Sequence, residues 1–270
     1  MNEPEDYGTA AAMQPSWSLS GQVAIVTGGA GLYGQHIAQA LAAAGAHVVL
    51  AARGLAACQD VAEHLRGNGF SAGAHELDLT SEESITRLRD DVVAHHGRID
   101  VLVNNAVARG GADIRTTSAQ DWAQTSAVNS LGLFLITREC GEQMIAQRSG
   151  VIVNIASIYG MVGPEFAIYG ETGMTNPAFY AYDKGGMINF TRYLAAFYAP
   201  HGIRANCISP GGLATPDQPA DFVANYSSRV PLGRLAGPQD IKGPVVFLAC
   251  DASRYVTGVN LPVDGGWTAR

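Results

Sequence analysis

The sequence predicts an α/β protein with a doubly wound parallel sheet flanked by helices, in a single domain. Three observations carry that expectation. Short apolar runs alternate with amphipathic stretches along most of the 270 residues, the pattern of parallel strands joined by crossover helices. Apolar residues make up 47% of the chain against 15% charged, enough to cover both faces of such a sheet. A glycine-rich segment follows the first apolar run, where a strand would turn into a helix. The length also allows two small domains, but one large domain is the simpler arrangement.

Taken in order, residues 1–20 are rich in Ala, Ser, Pro and acidic residues without an apolar period, and read as a poorly ordered extension. The folded domain is then residues 21–270, beginning near Gly21. Strand 23–27 leads into helix 34–44, and strand 47–51 into helix 55–66. A third strand ends before Asp78, and His95 and His96 stand before Gly97 at a helix end. Strand 101–104 precedes a long helical stretch over 121–148. Strand 151–154, a helix over 180–198 and strand 204–208 continue the series. In a sheet of this kind the ligand is expected at the carboxyl ends of the strands.

A formal charge of −7 without clustered Lys and Arg argues against a nucleic-acid surface. No run approaches the roughly 20 apolar residues of a membrane span. The acidic start lacks the basic region and apolar core of a signal peptide, so a cytoplasmic location is expected. Cys58, Cys140, Cys207 and Cys250 form no CxxC pair, and neither they nor His95 and His96 show metal-ligand spacing. No metal is expected.

The segment Val23-Ala-Ile-Val-Thr-Gly-Gly-Ala-Gly-Leu-Tyr-Gly34 joins an apolar strand to a glycine-rich turn and a helix start. Glycines there let the backbone approach a pyrophosphate, and the helix amino terminus stabilises its charge. This arrangement points to a Rossmann-like site for a dinucleotide. About 20 residues further on, a strand-end Asp or Glu would bind the ribose hydroxyl of NAD, whereas an Arg would accommodate the NADP phosphate. Ala52 and Arg53 occupy that place, so NADP is favoured, with NAD as the other possibility. Asp78, beside Leu79, offers a hydrogen bond to the adenine ring or a cap for a helix from Ser81 onward.

Tyr180 and Lys184 lie four apart in a helical stretch and therefore share a face. An ammonium beside a phenol favours the phenolate, which prepares a tyrosine to exchange a proton with an alcohol oxygen. Ser157, at the end of a strand, is placed to hydrogen-bond the same oxygen. Asn129 falls mid-helix, where Asn is a poor helix former, and a local kink holding a water for proton relay would account for it.

These motifs, in this order, resemble the short-chain dehydrogenase/reductases over about residues 19–267. The resemblance rests on the glycine turn, Asn104-Asn-Ala106, Ser157, Tyr180-Ala-Tyr-Asp-Lys184, Pro210-Gly-Gly-Leu-Ala-Thr215, Val256-Thr-Gly258 and Val263-Asp-Gly-Gly266. It implies an active site of Asn129, Ser157, Tyr180 and Lys184, acting on a small carbonyl or alcohol substrate. It also implies a cofactor held by Gly28, Gly31, Leu32, Tyr33 and Gly34, and by Asn105, Ala106, Pro210 and Gly211. Thr215 is then near the nicotinamide carboxamide, and a homotetramer built on helix faces and the C-terminal strand is expected.

Three departures stand out. Leu32 occupies the place of the middle glycine, with Gly31 one position early, so Gly31 is expected to make the close approach to the pyrophosphate. Val107 follows Asn104-Asn-Ala106 in place of a glycine. Tyr180 comes 23 positions after Ser157, where the family has about a dozen, so an insertion borders the substrate. Its Gly and Pro residues predict a structured loop rather than a helix. Tyr169, Glu171, Thr172, Thr175 and Asn176 offer hydrogen-bond partners that suit a polyhydroxylated, sugar- or polyol-like compound, with Tyr169 and Glu171 its candidate substrate contacts. A catalytically silent nucleotide-binding subunit is the alternative function, and the presence of all four polar positions argues against it.

Overall fold

The computed structural model describes residues 17–110 and 112–269. Its sheet contains β1 (Val23–Thr27), β2 (His47–Ala52), β3 (Ala72–Glu76), β4 (Val101–Asn104), β5 (Gly150–Ile155), β6 (Ile203–Pro210) and β7 (Asn260–Val263). The spatial order is β3-β2-β1-β4-β5-β6-β7, and every neighbouring pair is parallel. The helices are α1 (Gly34–Ala43), α2 (Leu55–Gly67), α3 (Glu82–His96), α4 (Ala119–Ser126), α5 (Leu133–Gln147), α6 (Ala178–Tyr198), α7 (Ala220–Arg229) and α8 (Lys242–Ala249). The chain is thus a doubly wound, Rossmann-like α/β fold in which strand order reverses beside β1, between β2 and β4. That reversal opens a crevice at the carboxyl ends of the strands.

Alternation along each strand explains why the apolar runs are unbroken. Side chains of a strand point to opposite faces in turn, and here both faces are covered. Ala24 and Val26 of β1 pack with Ile37 and Leu41 of α1 and Leu248 of α8 on one side. Val23 and Ile25 pack with Ile85 and Leu88 of α3 and Ile136 of α5 on the other. A solvent-facing side would have required polar residues at every second position.

Helix ends follow local chemistry. The Ser81 side chain caps α3 by accepting the Ser84 N–H, and Gly97 ends it at φ 76°. The cap is therefore Ser81 and not Asp78, whose carboxylate accepts the Thr80 N–H at 2.9 Å instead. The stretch read as one helix over 121–148 is two, because residues Ala127–Gly132 form a π-helical segment between α4 and α5. The fold also begins earlier than Gly21. Leu19 is fully buried, its N–H reaches Ala44 O at 2.8 Å, and Trp17 lies against Phe247 with ring centroids 5.9 Å apart. The rest of the expected extension, residues 1–16, lies outside the described residues. No described helix is long and apolar enough to cross a membrane, and no metal-binding group of His, Cys, Asp or Glu occurs among the described residues.

At the far edge, His47 of β2 and His96 of α3 sit with ring centroids 4.2 Å apart. Burial, and then each neighbouring imidazole, holds both below the ordinary histidine value. The unfolded chain therefore binds more protons than the folded one as pH falls from about 6.5, and stability is lost through that window. The melting temperature should fall between pH 7.5 and 5.5, and should fall less in His96→Gln. Equal falls in the two proteins would contradict this account.

Candidate active site

The first strand delivers its backbone directly into the glycine turn. Gly28 adopts φ 62°, and a Cβ there would lie 2.9 Å from Ala106 Cα. A Cβ on Gly34 would lie 2.1 Å from Gly28 O, so α1 starts against the turn only because no side chain intervenes. Asn105 ties the next strand to the same turn, its Nδ2 donating to Thr27 O and Gly28 O at 3.0 Å each. Thr27 Oγ1 accepts the N–H groups of Asn105 and Ala106 at 3.0 Å each. β1 and β4 are thereby locked together at the point where strand order reverses.

A cleft of about 850 Å³ opens above that point, within the size range of cofactor sites. Gly28, Gly31, Leu32 and Tyr33 border it from the turn, Asn105 and Ala106 from just after β4, and Pro210 and Gly211 from the end of β6 and the residue after it. The bare glycine cradle and the α1 amino terminus fit a dinucleotide pyrophosphate. Leu32 is 46% exposed at the lip, and the Tyr33 hydroxyl donates to Gly211 O at 2.9 Å, closing the far side. Ala52 lines the cleft, whereas Arg53 is exposed just outside the lining. Asp78 also stands outside the lining, its carboxyl held below the usual carboxylate range first by the Thr80 N–H and hydroxyl, with Arg53 adding. Leu79 is a buried core residue. Thr215 is not in the lining either; its N–H donates at 3.0 Å to Gln218 Oε1, and Gln218 is the residue that faces the cleft.

At the other end Ser157, Tyr180 and Lys184 converge on the same cleft. Ser157 Oγ accepts the Tyr159 N–H at 3.2 Å, which leaves its own O–H free for a ligand oxygen. Lys184, only 4% exposed, places Nζ 5.7 Å from the centre of the Tyr180 ring and donates to Ile155 O at 2.7 Å. Burial pushes its ammonium below the usual lysine range, opposed by the Tyr180 phenol. Asn129 sits in the π-helical segment, where the chain departs from regular α-helix. Its side chain lies outside the cleft lining and clamps the strand-β4 loop, accepting the Ala108 N–H at 2.8 Å and donating to Ala108 O at 3.2 Å.

The loop between Ser157 and Tyr180 is structured, with short helical turns at Ile158–Gly160 and Phe166–Tyr169. Tyr169 stacks on Phe222 of α7 at 5.8 Å and lines the cleft. Glu171, the other expected substrate contact, is exposed and stands outside the lining, in a turn whose Gly170 and Gly173 adopt positive φ. Thr175 and Asn176 of the same loop, both read as hydrogen-bond partners for a substrate, line the cleft, and so do three residues that sequence reasoning passed over: Arg109, Tyr159 and Gln218. Their motifs carry no spacing rule, and only the tertiary fold brings them together. No Asp or Glu is among the lining residues.

Comparison with known proteins agrees with this arrangement. Residues 31–268 match the family model described as Enoyl-(Acyl carrier protein) reductase. The cis-4-hydroxycyclohexanecarboxylate dehydrogenase of Sinomonas cyclohexanicum is 38% identical over 254 residues, 92% of this chain and 97% of that one. The 3-oxoacyl-[acyl-carrier-protein] reductase of Aquifex aeolicus is 35% identical, over 92% of this chain and 98% of its own. Among solved structures, a gluconate 5-dehydrogenase from Burkholderia cenocepacia in complex with NADP and tartrate superposes with a TM-score of 0.87 at 30% identity, over 96% of this chain and 99% of that one. The glycine cradle, the Ser157, Tyr180 and Lys184 cluster and these likenesses together place the chain in the short-chain dehydrogenase/reductase family.

Proposed function

We propose that the protein is an oxidoreductase that moves a hydride between NADP(H) and the carbon of a secondary alcohol or ketone, on a polar, sugar- or polyol-like substrate. The observation that carries this reading is the convergence of Ser157, Tyr180 and Lys184 on the cleft that the glycine turn opens. The cofactor, when bound, supplies or accepts the hydride at its nicotinamide ring. In the oxidative direction Tyr180 takes the hydroxyl proton as the carbinol C–H bond breaks, and in the reductive direction it returns that proton to the carbonyl oxygen. Ser157 donates a hydrogen bond to the same oxygen as charge develops on it. Lys184 steadies the phenolate from over the ring.

Gly28, Gly31, Leu32 and Tyr33 would hold the pyrophosphate, with Asn105, Ala106, Pro210 and Gly211 along the cofactor's length. The absence of a carboxylate at Ala52, with Arg53 beside it, favours the NADP phosphate. A lining that mixes Arg109, Thr175, Asn176 and Gln218 with tyrosines suits a hydroxylated substrate, and the relatives that act on a hydroxycyclohexanecarboxylate and on gluconate support it. Exposed Leu131 of the π-helical segment, Phe134 of α5, and Tyr182, Tyr193 and Phe197 of α6 suit packing of copies in a homotetramer. A cytoplasmic location fits the chain's chemistry.

Tyr180→Phe should lower kcat by at least about a hundredfold, the scale of a lost general acid–base, while NADPH binding measured by fluorescence stays near normal. Turnover within a few-fold of the wild type would overturn the assignment. Lys184→Met should weaken both turnover and NADPH affinity, and an unchanged dissociation constant would show that Lys184 serves the phenol alone. In Ala52→Asp the ratio of kcat/KM for NADP to that for NAD should fall at least about tenfold, because a carboxylate then faces the ribose 2′ position. An unchanged ratio would remove Ala52 and Arg53 as the basis of cofactor choice.

A further inference from the structure

The motif Tyr180-Ala-Tyr-Asp-Lys184 contains a charged residue that the proposed chemistry leaves unused. Asp183 is only 6% exposed. Its carboxylate accepts from Asn129 Nδ2 at 2.9 Å and from Ser130 Oγ at 3.3 Å. Both donors are neutral and both sit on the π-helical segment. A carboxylate buried against two neutral donors is costly to keep charged. Its position makes sense of the cost: one residue further along α6, the Lys184 ammonium is buried too, with a single carbonyl as its hydrogen-bond partner.

We infer that Asp183 is a positioning residue of the active site, serving as counter-charge to Lys184 and orienting the Asn129 amide that clamps the loop after β4. The inference rests on reading Lys184 and Asn129 as working groups, and adds to it the residue that holds them. Because a carboxylate only accepts, Asn129 must present Nδ2 to it, and Oδ1 is then fixed toward the Ala108 N–H. One acidic side chain thereby couples α6, the π-helical segment and the loop that carries Val107 and Arg109 into the cleft. Electrostatics points the same way. The groups acting on Lys184 are the Tyr180 phenol, the Cys207 thiol, the Arg109 guanidinium and Asp183. Burial pushes the Cys207 thiol up to about 11, so it is neutral at working pH, and Arg109 opposes the ammonium. Asp183 is the one carboxyl among these groups.

Lys184 and Lys242 are the chain's two lysines, which makes the site directly readable. Lysine labelled with carbon-13 at Cε gives two nuclear magnetic resonance signals in the intact protein, and Lys242→Arg assigns them. Asp183→Asn keeps the shape and one acceptor oxygen but removes the charge. In it the Lys184 titration should move to lower pH, whereas Asp183→Glu, which keeps the charge, should hold it nearer the wild-type position. The pH profile of kcat/KM for alcohol oxidation should shift to lower pH in Asp183→Asn, with kcat reduced at least about tenfold. An unmoved Lys184 titration in folded Asp183→Asn overturns the inference, even if activity falls, since a purely structural role would cost activity without moving it. Should the isostere fail to fold, Asp183→Ser, which leaves room for water, is titrated in its place, and an unmoved Lys184 signal there overturns the inference equally. A shifted titration in a protein that turns over no alcohol would contradict the proposed function and leave the role of Asp183 standing.

Discussion

The active site depends on one ammonium withdrawn from water. Lys184 is only 4% exposed, and its Nζ is held by a backbone carbonyl at the end of β5. That bond pins α6 to the sheet beside Ser157, and it places a positive charge over the Tyr180 ring. In bulk water such a charge would act on the phenol weakly; in a low-dielectric setting the same separation matters several times more. Desolvation pulls the other way and disfavours the charged amine itself. The surroundings of Lys184 are therefore a compromise between exposing its charge to the phenol and keeping that charge at all.

Around this ammonium the fold places polar residues where an apolar core would ordinarily do. Asn104 of β4 donates to Thr137 Oγ1 of α5 at 3.0 Å and to Asn154 Oδ1 of β5 at 2.9 Å. Asn154 in turn donates to Thr191 Oγ1 of α6 at 2.8 Å. This buried ladder crosses two strands and reaches the helix of Tyr180 and Lys184. Hydrogen bonds of this kind contribute only about 1 kcal/mol each, but leaving one partner unmet costs more, so the ladder fixes register more than it adds stability. The loop clamp through Asn129 and the Asn105 tie to the glycine turn follow the same logic, each setting a piece of the cleft against a strand end.

Much of this was legible in the sequence. Unbroken apolar runs at β1, β4 and β5 announced strands buried on both faces, and the turn after Thr27 announced the crevice. Tyr180 and Lys184 could be paired from helical spacing, and Asn129 marked a departure from regular α-helix because its side chain disfavours one. Other features left no local trace. The short helices α7 and α8 were not among the expected elements, and Phe222 and Tyr226 of α7 meet Tyr169 and Trp267 in a separate apolar cluster that shapes the substrate end. Glu171 looked like a substrate contact because polarity shows in sequence while direction does not, and it is exposed outside the cleft lining. Arg109 and Gln218 border the cleft only through tertiary folding. Asp183 was in plain sight within its motif, but its partners lie more than 50 positions away.

The central claim is that one bond breaks between carbon and hydrogen in this cleft while Tyr180 handles the proton. The most direct measurement incubates the wild-type protein and NADP with ring and sugar alcohols deuterated at the carbinol carbon, and weighs the reduced cofactor by mass spectrometry. The account predicts NADPH carrying one deuterium for each ketone formed from at least one of these alcohols. NADPH formed without deuterium, or no reduction of the cofactor by any alcohol of the panel, would contradict it.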